Sequence, residues 1–158
     1  MAIKILLLLI LAVTFIIYWA IPRSRFAGRL KMNEPLFYLI HIIGIISGFL
    51  GIVVTVIFPD EIMTNHLYEL ILLPVFFVYV YSAILMRIKK GEDILDEKQN
   101  RDMLYAISIS WIVCFISMFF IYALFKSNGI QGYIWFPLFV FLNIFVFSSS
   151  TLVLFKRN

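Results

Sequence analysis

The run "LFYLIHIIGIISGFLGIVVTVIF", residues 36–58, decides the fold. It holds 23 residues and no Asp, Glu, Lys or Arg. As a helix it would extend about 35 Å, enough to cross a hydrocarbon core of about 30 Å. A barrel strand would be about half that length and would alternate apolar with polar residues, which this run does not. Four more runs read the same way, at 3–21, 67–88, 104–125 and 133–155, each 19 to 23 residues long. The expected fold is therefore an all-α, polytopic membrane helix bundle of five transmembrane helices, an N-terminal span followed by two helical hairpins.

Composition agrees. Of 158 residues, 63% are hydrophobic, 18% aromatic and 14% charged. A small soluble globule leaves too much of its area facing water to carry that load, so the excess must face lipid. The whole of 1–158 reads as a single integral membrane domain in the cell (cytoplasmic, or inner) membrane, multi-pass. The first run resembles a signal peptide in having Lys4, an apolar stretch and Ala20, but bulky Tyr18 and Trp19 precede that alanine. An uncleaved span is expected.

Positive charge sets the threading. With the N-terminus outside, the inner segments carry eleven cations: Arg23, Arg25, Arg29, Lys31, Arg87, Lys89, Lys90, Lys98, Arg101, Lys156 and Arg157. Only Lys4 and Lys126 fall outside. This bias predicts N-out/C-in. The net charge of +4 is then a topology and lipid-headgroup signal, and no nucleic-acid partner is expected. Cys114 is the single cysteine, so the chain can form no disulfide with itself.

Prolines punctuate the chain. Pro22, Pro35 and Pro59 flank spans, Pro137 lies in the first turns of the last one, and Pro74 falls inside the third. The two hairpins superpose without a gap, 36–90 on 103–157, with eight identities over 55 positions. That is close to chance for such Ile- and Phe-rich text, so a repeat stays open. The charged segment at 87–103 is cytoplasmic in this threading. Its part at 92–102 reads as a solvated helical ramp, or as a docking surface for a cytoplasmic partner.

Within the spans, Gly44, Gly48 and Gly51 form one small-residue stripe, and Ala106, Ser110, Cys114 and Ser117 form another. Small stripes let helices approach closely in lipid, so the two are expected to pack on each other, or the glycines to form a homodimer seam. His41 and Asn143 are the intramembrane polar candidates. Each more often hydrogen-bonds a neighbouring helix than carries a proton or substrate. The hydroxyls of 148–151 are expected to bond the backbone four residues earlier.

At the outer turn, "FPDEIMTNHLYEL" (58–70) gathers Asp60, Glu61, His66 and Glu69. His66 and Glu69 have the i,i+3 spacing of bundle metal sites. The second hairpin offers no matching ligands, so the four make at most a weak, open metal site. Asp60 or Thr64 capping the third span is the simpler reading. His41 cannot join them, being on the far side of a span about 26 Å deep.

No motif for a metal cluster, nucleophile–base pair or phosphate loop is present, and no cofactor is expected. The sequence fits an accessory or interaction subunit or regulator, with a membrane-protein partner or as a homo-oligomer. The alternatives are a small oligomeric transporter or channel using His41, Glu69 and Asn143, and a membrane-embedded enzyme without a recognisable motif.

Overall fold

The computed structural model describes residues 9–10, 12–16, 19–20, 34–88 and 97–156. Outside them lie most of the expected first span and the ramp residues before Glu97. Where described, the region of that span is helical. Beyond it, five helices follow: α1 (Glu34–Ile57), α2 (Pro59–Thr64), α3 (Leu67–Ile88), α4 (Glu97–Lys126) and α5 (Trp135–Lys156). There is no strand among the described residues. Four of the helices, α1, α3, α4 and α5, are long and apolar enough to cross a membrane.

Local chemistry explains the boundaries. Glu34 and Pro35 open α1, where an acid meets the positive end of the helix and proline loses no hydrogen bond. Phe58, kept out of the helical region by the proline after it (φ −125°, ψ 61°), separates α1 from α2. The stretch 59–66, expected as a turn with one helical start, thus contains a six-residue helix of its own. Neither Asp60 nor Thr64 caps α3. Thr64 donates back to the Asp60 carbonyl at 2.8 Å, inside α2. His66 then takes a left-handed conformation, φ 57°, and redirects the chain into α3. Helix α3 continues through Pro74.

At the end of α4, Asn128 is left-handed, φ 57°. Its N–H donates to the Phe125 carbonyl at 3.1 Å, and that of Gly129 to Leu124 at 2.8 Å. This Schellman pairing satisfies carbonyls that the helix end would otherwise leave bare.

Helix α5 is the centre of the bundle, lying between α1 and α4, while α3 lies along α1. The glycine stripe of α1 makes this possible. A Cβ at Gly44 would sit 2.1 Å from Ser148 Oγ, one at Gly48 2.7 Å from the Phe145 backbone nitrogen, and one at Gly51 2.2 Å from the Phe141 ring. Lipid supplies no hydrophobic force between helices, so such close packing is a main source of cohesion. The pairing runs antiparallel in a fixed register, since Phe37 also meets Phe155 near the opposite end.

Two expectations are corrected here. The glycine stripe does not pack on the small stripe of α4, because both face α5. It is also filled by the chain's own helix, so it offers no free seam to a second copy. The hydrophobic core beside Gly51 joins Ile62 of α2 and Ile71 of α3 to Phe141.

Candidate functional site

Polar groups inside an apolar bundle are few, and where each one is satisfied shows what it does. Tyr79 of α3 and Ser148 of α5 share a hydrogen bond of 2.8 Å. Ser148 therefore reaches across to another helix rather than to its own backbone. Thr151 does bond the Phe147 carbonyl, at 2.8 Å. Asn143 accepts a long bond of 3.5 Å from Ser110, linking α5 to α4. Ala106, Ser110 and Cys114 are buried on that side, with Ser117 half-buried.

His41 differs from these. It is 4% exposed, and its Nδ1 is enclosed with no hydrogen-bond partner among the described residues. Phe37 and Phe147 set their rings edge-on to it, with centroids at 4.6 and 5.7 Å. Next to it is a cavity of about 220 Å³ whose lining also includes Ile40, Tyr79, Ser82, Ala83 and Met103. Four helices contribute: α1 gives Phe37, Ile40 and His41, α3 gives Tyr79, Ser82 and Ala83, α4 gives Met103 and α5 gives Phe147. His41 lies seven residues along α1 from Glu34, about 10 Å into the helix. Among the described residues the lining contains one titratable nitrogen base and no carboxylate or cation. Such a site favours a neutral guest.

The stretch 58–70 is assembled differently. Nδ1 of His66 lies 3.5 Å from Oε1 of Glu69, with both side chains about half exposed. Oε2 of Glu69 is enclosed without a partner among the described residues. Glu61 is exposed. Asp60 is engaged elsewhere, accepting a hydrogen bond from the Tyr133 hydroxyl at the start of the last hairpin's second arm. That carboxylate holds the Tyr133 phenol above its ordinary pKa, first because their hydrogen bond retains the phenolic proton and further because ionising it would place a second negative charge beside Asp60. Among the described residues no three His, Cys, Asp or Glu side chains converge as a metal-binding group.

Of the residues singled out from sequence, His41 stands in a cavity. Asn143 and Glu69 are not part of that cavity's lining. Sequence reasoning missed Tyr79, Ser82 and the Asp60–Tyr133 link. For Tyr79 a signal existed: it lies twelve residues into α3, far from the interface where membrane tyrosines usually sit. A phenol at that depth needs a partner. The fold and polar sites define a helical bundle with four helices able to span a membrane and a largely apolar cavity at His41 among them. No family model matches this chain, and neither does any curated protein or solved structure.

Proposed function

We propose that the chain is a five-span, N-out/C-in, multi-pass protein of the cytoplasmic membrane that acts as an accessory or regulatory subunit of another membrane protein. The eleven-to-two distribution of cations supports the threading. A reporter fused after Gly91 should read cytoplasmic, and an extracytoplasmic reading would overturn the orientation.

The observation that carries the functional reading is the build of α4. This helix has 30 residues, about 45 Å, longer than the hydrocarbon core it would cross. Its candidate span starts at Arg101, so its first turn belongs to the charged ramp. Its inner side packs on α5. Its outward side presents Trp111, Phe115, Phe119 and Phe120, each at least 60% exposed. Phe115 and Phe119 stack edge to face at 5.2 Å. Aromatic side chains are enriched where proteins meet, and they bury large area at small entropic cost. One helix thus joins an aromatic membrane face to a charged cytoplasmic end, a composite surface suited to a partner's transmembrane helix and its cytoplasmic extension.

Gentle extraction followed by native mass spectrometry tests this. The wild-type chain should carry a different membrane protein, and the triple variant Trp111→Ala, Phe115→Ala, Phe119→Ala should lose it while keeping its own thermal stability. A chain recovered alone, or only as copies of itself, would sink the reading.

A further inference from the structure

The cavity at His41 joins three independent features. One is an imidazole nitrogen enclosed without a partner among the described residues, a state that folded proteins rarely leave unrelieved. Another is its aromatic surround, with Phe37 and Phe147 edge-on to His41 and Tyr79 edge-on to Phe147 at 6.2 Å. The last is room: an apolar cavity of about 150 Å³ takes up benzene, and this one measures about 220 Å³.

We propose that this cavity binds the hydroxylated aromatic ring of a membrane-soluble molecule, an alkyl-tailed phenol or hydroquinone, with its hydroxyl hydrogen-bonded to His41 Nδ1.

The lining selects this class by elimination. Among the described lining residues a cation would meet no carboxylate and an anion no lysine or arginine. A phospholipid headgroup is charged and hydrated and belongs at the interface, whereas His41 lies about 10 Å along α1. A plain hydrocarbon would fill the space and leave Nδ1 as it is. Tyr79 does not relieve His41: its hydroxyl pairs with Ser148 and makes no hydrogen bond to Nδ1. A hydroxyl both donates and accepts, so it serves Nδ1 in either imidazole tautomer. An aromatic ring suits walls that present ring edges. An alkyl tail holds the molecule in the bilayer. The proposal is independent of whether α4 has a protein partner.

The test uses the full chain in phosphatidylcholine nanodiscs, labelled with ¹⁵N-histidine. The chain has two histidines, so His66→Asn leaves His41 as the sole reporter. Titration with 4-decylphenol should move the His41 ring nitrogens along a curve that saturates. Decylbenzene, which lacks the hydroxyl, should not move them. Filling the cavity by Ala83→Phe, or separately by Ser82→Leu, should raise the half-saturation point about tenfold or more. A response that grows linearly without saturating marks simple partition into lipid and overturns the proposal. So does an equal shift with decylbenzene, or an unchanged half-saturation in both filled variants.

Discussion

Gly48 is the residue where α1 and α5 come closest in a way no side chain can relax. A methyl there would stand 2.7 Å from a backbone nitrogen of Phe145, and backbone cannot rotate aside. Gly48→Ala gains about 1 kcal/mol of helix propensity but forces the helices apart, so a net loss of about 1–2 kcal/mol is expected, read by unfolding in mixed detergent. At Gly44 the obstacle is instead a side chain, Ser148 Oγ. Gly44→Ala should therefore cost less in a Ser148→Ala background than alone, and a double-mutant cycle measures the difference. Tyr79→Phe and Ser148→Ala break the same bond, so each should cost about 0.6 kcal/mol and the pair about the same again, not twice as much. The polar residues at issue were partly legible in the sequence. His41 and Asn143 stand out because nothing polar surrounds them in the text. Tyr79 does not, since tyrosine counts among the apolar-looking residues and its depth becomes telling only once the helix ends are known.

At the scale of elements, a hydrogen bond from Tyr133 to Asp60 ties the segment before α5 to α2. Tyr133 lies outside the spans, and its raised pKa gives the link a pH signature. The folded state holds the phenolic proton more tightly than the unfolded chain does. The contribution of the link is thus fully present below the ordinary phenol value of about 10 and is lost as pH rises through the raised value. With ¹³C-labelled tyrosine, the Tyr133 phenol should titrate above its ordinary value, and Asp60→Asn should lower it. A Tyr133 that titrates unchanged in Asp60→Asn would show that the link is absent. Spans were easy to read in the sequence because an apolar run of about 20 residues has few other uses. The start of α3 falls at Leu67, where the apolar run begins. Helix α2 was not legible: Pro59, Asp60 and Glu61 are helix-start residues, and that signal was assigned to the next span when it opens a short helix first.

Across the whole molecule, the order of packed helices is α3, α1, α5, α4, with Tyr68 and Tyr79 of α3 also reaching α5 through their rings and hydroxyl. A parallel repeat of the hairpins would make α1 equivalent to α4 and α3 to α5. Yet α1 and α5 are inner and α3 and α4 outer, so the helices a repeat would equate occupy different places. This order was hidden because small-residue stripes announce close packing without saying against what. Glycines on α1 meet bulky Phe141 and Phe145 on α5, and shape complementarity between large and small cannot be read from either helix alone. The arrangement is open to a direct check in a Cys114→Ser background. Cysteines replacing Phe37 and Phe155, whose rings lie 4.8 Å apart, should cross-link readily. Cysteines at Phe37 and Tyr105 should not, and the reverse outcome would replace α5 by α4 as the neighbour of α1.

The glycine groove of α1 also sets a clock on biosynthesis. Gly51 leaves the ribosome 90 residues before Phe141, the ring that will cover it. At about 5–20 residues per second, that is an interval of about 5–20 s. During it the glycine surface of α1 has no α5 to cover it. The bundle cannot close as it is made, helix after helix. It closes backwards, when the last helix of the described chain inserts between two already placed, and a quality-control protease would have that whole interval in which to sample the unfinished form.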